Sequence, residues 1–231
     1  MKLSVIIPVY NEVNTIKEIV QRVKNINVVY EIIIVDDGSS DGTRDILRMM
    51  EAGNDDSPIL RIIYNEKNQG KGSAVWIGIQ NANGDALLIQ DADLEYDPRD
   101  VPALIKPLEE GVADVVYGSR FLGAPHRSTM FWHMVANMML TMFTNILYDT
   151  ILTDMETGYK LFRREVVANI KIRSKRFDFE PEFTAKILKK KVRVFEVPIS
   201  FNARDYSDGK KIGLKDAFAA VWALLIYRLI D

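Results

Sequence analysis

The chain of 231 residues contains no cysteine, which removes disulfides, thiolate nucleophiles and cysteine-held metals and fits a reducing compartment. Histidine is nearly as scarce, with two residues, His126 and His133. Neither has a companion at metal-ligand spacing, so both read as surface or packing residues. A leader is not indicated at the start: the apolar stretch after Met1 is short and cut by Pro8, so it reads as a strand. No internal repeat, low-complexity linker, zinc finger, RNP-like aromatic motif or helix-turn-helix is evident, and no nucleic-acid partner is expected.

What the chain does have is an ordinary globular composition, 48% hydrophobic and 27% charged, enough for one large α/β domain or two small ones. Its formal net charge of −2 conceals an asymmetry. Residues 1–115 carry 11 Lys and Arg against 20 Asp and Glu, whereas residues 116–231 carry 19 against 12. The acidic half suits divalent cations and the basic half suits phosphate groups or an anionic membrane surface.

Periodicity and turn signals predict strands at Leu3–Val9, Glu31–Val35, Ile59–Tyr64 and Ala86–Gln90. Helices are expected between them, over about Val13–Lys24, Thr43–Glu51 and from Lys71 to about Asn81. Asn14 is suited to cap the first of these. Such alternation implies a mainly parallel, doubly wound sheet with its ligand crevice at the carboxyl ends of the strands. Further strands are expected at Ala113–Tyr117, Lys160–Arg163 and Val192–Val197, with a helix after Pro181.

The stretch Leu87–Glu95 is the focus of the chain. An apolar run ends in Asp91, Asp93 and Glu95, spaced two apart, which an extended backbone would turn to one side. Clustered carboxylates repel unless a cation lies between them, and hard oxygen ligands without His or Cys suit Mg²⁺ or Mn²⁺. Solvated loop acids are the alternative for a bare Asp-x-Asp. That alternative weakens because Asp37 is placed at the same sheet edge. An EF-hand is a poor alternative, because Tyr96 and Pro102 stand where its glycine and glutamate would be.

Three other stretches keep two readings each. Gly70-Lys71-Gly72 opens a helix; it either lets a diphosphate approach backbone N–H groups or is a plain helix start. Arg120, just past a strand, either faces a phosphate or pairs with a neighbouring Asp. Ser128–Tyr148 has no charged residue and holds five of the nine methionines, with His133, Asn137, Thr141 and Asn145 recurring every four residues. That polar stripe argues against a lone transmembrane helix. Either a methionine-rich core helix or an amphipathic helix at a membrane interface fits. Ala217–Tyr227 is an apolar helical run too short to span a bilayer.

The motifs Val5–Glu12, Val35–Thr43, Asn68–Gly72 and Asp91-Ala92-Asp93, in this order and spacing over about residues 1–120, resemble the family 2 glycosyltransferases of GT-A fold. Gly118-Ser119-Arg120, Glu156-Thr157-Gly158-Tyr159 and the stretch Arg204–Lys211 resemble the branch that transfers sugars to polyprenyl or dolichyl phosphate. The resemblance implies a Rossmann-like, mainly parallel sheet flanked by helices, with C-terminal amphipathic helical elements. It divides the chain into a catalytic domain over 1–210, with a nucleotide-binding half to residue 115 and an acceptor half from 116, and an apolar helix over 211–231. Pro8, Tyr10, Glu12, Asp37, Gly38, Lys71 and Asp91 would bind a nucleotide-sugar donor. Asp91, Asp93 and Glu95 would hold Mg²⁺ or Mn²⁺; Glu95 stands where the branch often has glutamine. Arg120, Arg127, Arg204 and Lys210 would hold the acceptor's phosphate, with Asp91, Asp93 and Arg120 as the catalytic set. Asp154, Glu156 and Asp178 are candidate bases for a hydroxyl acceptor. A lipid phosphate acceptor implies peripheral attachment at the cytoplasmic membrane face, with homo-oligomerisation open.

Overall fold

The computed structural model describes residues 1–53, 58–123, 131–176, 178–203 and 214–230, with the side chains of 214–217 outside that set. The first half alternates β1 (Leu3–Val9), α1 (Ile16–Lys24), β2 (Val29–Asp36), α2 (Thr43–Ala52), β3 (Ile59–Tyr64), α3 (Lys71–Asn81) and β4 (Ala86–Ile89). A 3₁₀ turn at Pro98–Asp100 leads into α4 (Val101–Glu109), followed by β5 (Val115–Ser119) and α5 (Phe131–Tyr148). The chain then runs through β6 (Lys160–Arg163), α6 (Arg164–Val167), α7 (Phe179–Lys189), β7 (Val194–Pro198) and α8 (Leu214–Leu229).

The seven strands form one sheet in the order β3-β2-β1-β4-β6-β5-β7. All neighbours are parallel except β6, which runs antiparallel to both β4 and β5. Ile6, Ile7, Ile32, Ile33, Ile34, Leu87 and Leu88 are fully buried, because helices cover both faces and leave no solvated side for a polar alternation. The strand order reverses between β1 and β4, and in open α/β sheets such a reversal opens a crevice outside the strands' carboxyl ends.

Helix α5 is amphipathic in an unexpected sense. Asn137, Thr141, Thr144 and Tyr148 are buried, while Met138, Met139, Met142 and Ile146 are exposed. The polar face is inward because the chain at 152–155 needs hydrogen-bond partners. Asn145 donates to the Leu152 carbonyl and accepts from its N–H, both at 2.8 Å, and Thr141 Oγ1 accepts the Met155 N–H at 3.1 Å. The methionine-rich core helix is therefore not what forms: Met138, Met139 and Met142 face outward. Helix α8 packs on α5 and α7 through Ala220, Ala223, Leu224 and Tyr227, leaving Phe218 and Trp222 exposed beside them.

Candidate active site at the carboxyl edge of the sheet

Residues after β1 and β2 are knitted together before any ligand is considered. The Asn11 N–H donates to Ser39 Oγ at 3.0 Å, and Ser40 N–H donates to Asn11 Oδ1 at 2.9 Å. Glu12 N–H donates to Thr43 Oγ1, and its carboxylate accepts from Thr15 Oγ1 at 2.7 Å. Pro8 lies within β1 opposite Val35 in β2, and Tyr10, just past the strand, is half-exposed at the crevice mouth. Asn14 does not cap α1, which begins at Ile16 with Thr15 in the cap position.

The two aspartates after β2 have structural partners. Asp36 is buried against Arg44 at 2.6 Å. Asp37 accepts from Asn65 Nδ2 at 2.9 Å and from the Gln69 and Gly70 N–H groups at 3.0 and 2.7 Å. Its carboxylate thus holds the loop before α3 in place. Gly38, at φ +79°, sits where a Cβ would strike the Lys67 and Asn68 backbone at 2.7 Å, so glycine is required for the two loops to touch. The glycines flanking Lys71 have the same kind of reason. A Cβ on Gly72 would come 2.7 Å from the Ser174 carbonyl, and the Ser73 N–H donates to the Lys175 carbonyl at 3.2 Å. The start of α3 is covered by residues 174–176, which favours the plain helix-start reading over a diphosphate cradle.

The acidic turn differs from the extended segment expected. Strand β4 ends at Ile89, and Leu94 adopts φ +63°, so the two-residue alternation does not carry through to Glu95. Asp93 Oδ1 accepts the Glu95 N–H at 3.1 Å, and the Glu95 carbonyl accepts the Asn202 N–H at 2.9 Å. Among the described residues, no three acids gather as a metal cluster. What the structure changes is the extended backbone expected to carry Asp91, Asp93 and Glu95 to one side. Asp91 instead meets Lys71 Nζ, at 2.7 Å from Oδ1 and 3.0 Å from Oδ2. Burial works against the charge on Lys71, but Asp91 and then Glu180 more than offset it and raise its pKa.

Arg120, after β5, makes a bidentate pair with Asp154, Nε to Oδ2 at 2.6 Å and a terminal nitrogen to Oδ1 at 2.7 Å. Asn137 Nδ2 donates to the same Oδ1 at 3.0 Å, and Asp154 is fully buried. The ion pair with a neighbouring Asp is thus the arrangement present. About a fifth of the Arg120 side chain stays accessible. Arg127, Arg204 and Lys210 lie outside the described residues.

Between these two centres runs the strap 154–160. Gly158 passes so close to Asp91 that a Cβ would lie 2.5 Å from its Oδ2, and the Gly158 N–H donates to Tyr96 Oη at 3.1 Å. Lys160, the first residue of β6, is fully buried and donates to the Met155 and Thr157 carbonyls and to Glu180 Oε2 at 2.7 Å. Glu156 Oε1 is enclosed without a hydrogen-bond partner. Burial, followed by the nearby Glu180 charge, pushes the Glu156 carboxyl up to about 7. Sequence reasoning missed Lys160, Glu180 and Asn137 as parts of the site. A lysine opening a buried strand and an acid beside Pro181 in the first turn of α7 were the available signals.

A family model for glycosyl transferase family 2 matches residues 4–171, and the chain belongs to that family. The dolichol-phosphate mannosyltransferase of Pyrococcus furiosus is 32% identical, across all of this chain and 64% of that protein. The undecaprenyl-phosphate 4-deoxy-4-formamido-L-arabinose transferase of Proteus mirabilis is also 32% identical, across 93% of this chain and 64% of that protein. The chain therefore spans somewhat under two thirds of the length of these relatives. Glucosyl-3-phosphoglycerate synthase of Mycobacterium tuberculosis, solved with Mn²⁺, UDP and phosphoglyceric acid, superposes with a TM-score of 0.75. It is 21% identical, across 100% of this chain and 79% of that one, and this likeness places the fold in the GT-A class.

Proposed function

We propose that the chain transfers a hexose from a nucleotide-sugar donor of the GDP-mannose or UDP-glucose type to a polyprenyl or dolichyl phosphate, with inversion at the anomeric carbon. The observation that carries this reading is the pairing, on one sheet edge, of the Asp91–Asp93 turn with the Arg120–Asp154 pair, bridged by the strap through Gly158. The names of the two 32%-identical relatives supply the acceptor class.

Asp91 and Asp93 fit a divalent cation. Mg²⁺ is commonly held by one or two carboxylates with substrate phosphates completing the shell, so a third acid is not required. Asp93 is oriented by the Glu95 N–H, and Asp91 lies against Lys71 Nζ at 2.7 Å. When bound, such a cation offsets the charge that develops on the departing diphosphate. The chain's own residues do the remainder. Tyr10 and the 36–40 loop border the nucleoside, and Asp91 fixes the sugar end. Arg120, held rigid by Asp154, steers an acceptor phosphate oxygen toward the anomeric carbon. That oxygen forms the new bond as the bond from the anomeric carbon to the diphosphate breaks. Being anionic already, the phosphate needs positioning more than deprotonation.

A second reading, a hydroxyl acceptor, is favoured by Glu156 alone. A carboxyl near 7 is matched to general-base work at neutral pH. A screen of GDP- and UDP-sugars against undecaprenyl phosphate, dolichyl phosphate and hydroxyl acceptors, with Mg²⁺ or Mn²⁺ and with EDTA, separates the two. Transfer to a polyprenyl phosphate that EDTA abolishes is expected. Transfer to hydroxyl acceptors only would overturn the lipid-phosphate reading.

The exposed apolar side of α5 and α8 supports attachment to a lipid surface, where a lipid acceptor would be met. Among the described residues no helix is long and apolar enough to cross a membrane. The attachment proposed is peripheral, through the exposed apolar residues of α5 and α8.

A further inference from the structure

Glu180 has one oxygen in a hydrogen bond and one without. Its Oε2 binds Lys160 at 2.7 Å, whereas its buried Oε1 has no hydrogen-bond partner and lies 3.5 Å from Lys71 Nζ. Lys71 itself rests on Asp91 at 2.7 Å. One ammonium therefore stands between two carboxylates, bonded to the first and within about an ångström of bonding distance to the second. We propose that Glu180 is a positioning residue for donor binding: it receives Lys71 when Asp91 is claimed by the donor and its cation, which leaves the Asp91 carboxylate free to bind. This rests on the reading of Asp91 as a donor and cation residue.

The physical need is plain. A dication arriving at Asp91 meets an ammonium already there, and like charges at that separation repel strongly in a buried site. Expelling Lys71 to solvent would be one escape, but only about a fifth of its side chain is accessible and the Gly158 strap lies against it. A Cβ on Gly158 would sit 3.2 Å from Lys71 Nζ, and Gly70 and Gly72 are pressed against the Ser174 and Lys175 carbonyls. A short move onto Glu180 Oε1, already 3.5 Å away, keeps the ammonium paired. Lys160 keeps Glu180 in place throughout, because it is anchored to the Met155 and Thr157 carbonyls. The same unpaired Glu180 Oε1 leaves a rival account, in which it serves the neighbouring Glu156 carboxyl instead.

A double-mutant cycle on cation binding separates these accounts without using activity. Mn²⁺ affinity is read by electron paramagnetic resonance of free Mn²⁺, alone and with UDP or GDP, on the whole chain. Lys71→Met removes the competitor, and Mn²⁺ alone should bind roughly tenfold more tightly. Glu180→Gln leaves Lys71 on Asp91 and should weaken binding by about tenfold in the wild-type background, but by less than about twofold in the Lys71→Met background. Equal weakening in both backgrounds, or none in either, would overturn the exchange and favour the link to Glu156. Thermal unfolding of each variant checks folding. Should Glu180→Gln not fold, Lys71→Met alone decides, since unchanged or weaker Mn²⁺ binding contradicts the proposal. A wild-type chain that takes up no Mn²⁺ with either nucleotide would defeat the cation reading of Asp91 itself, a distinct failure.

Discussion

Arg120 donates two hydrogen bonds to Asp154, a carboxylate without solvent exposure, and keeps only about a fifth of its side chain accessible. Removing it altogether would strand a buried charge, at a cost of about 3–5 kcal/mol, and would confuse folding with function. Lysine retains the charge but loses the planar fork. Arg120→Lys is therefore expected to lower transfer at least about tenfold while leaving the donor's dissociation constant within about twofold, compared by steady-state kinetics and donor titration. Equal loss of both would place Arg120 on the donor. Glu156 yields a stability prediction. Its carboxyl is raised from an ordinary 4.5 to about 7 in the folded chain. The native state then binds more protons between those values, so stability falls as pH rises from about 4.5 through 7. Glu156→Gln removes that penalty. Relative to wild type, the variant should melt a few degrees higher at pH 8, with the advantage gone near pH 4.5. A melting difference independent of pH would show that the carboxyl is not held up.

At the scale of elements, the strands and the first helices were legible because hydrophobic runs and glycine-bearing loops are local signals. The spans of β1, β3 and α3 coincide with those expected, at Leu3–Val9, Ile59–Tyr64 and Lys71–Asn81. What sequence could not show was direction. Polar residues every fourth position in α5 mark a face, but only the backbone of 152–155, which that face serves, explains why it turns inward. The turn after β4 misled for a related reason. A left-handed Leu94 breaks the alternation, and nothing in a leucine announces a positive φ. The network of Lys71, Glu180, Lys160 and Glu156 draws on α3, α7, β6 and the strap. Its members are far apart in the chain, and the insertion of antiparallel β6 between β4 and β5 brings them together.

For the whole molecule, the sign asymmetry between halves and the outward apolar face belong together. The half after residue 115 holds the surplus of Lys and Arg and also both outward-facing helices. Trp132, Met139, Ile146 and Trp222 are all more than half exposed, a concentration of large apolar side chains that soluble surfaces rarely keep uncovered. A lipid surface meets both demands, since anionic headgroups attract the basic half and the acyl boundary accepts Trp and Met. Each large side chain buried contributes on the order of 1.5–3 kcal/mol, so losing two should shift partitioning by tenfold or more. We therefore expect the chain to sediment with phosphatidylglycerol vesicles, less with phosphatidylcholine, and to be partly released by salt. A Met139→Glu, Trp222→Glu variant should stay in the supernatant while binding nucleotide as wild type does. If the wild-type chain ignores both vesicles and instead runs as a dimer that the same variant dissociates, the face joins two copies rather than a membrane.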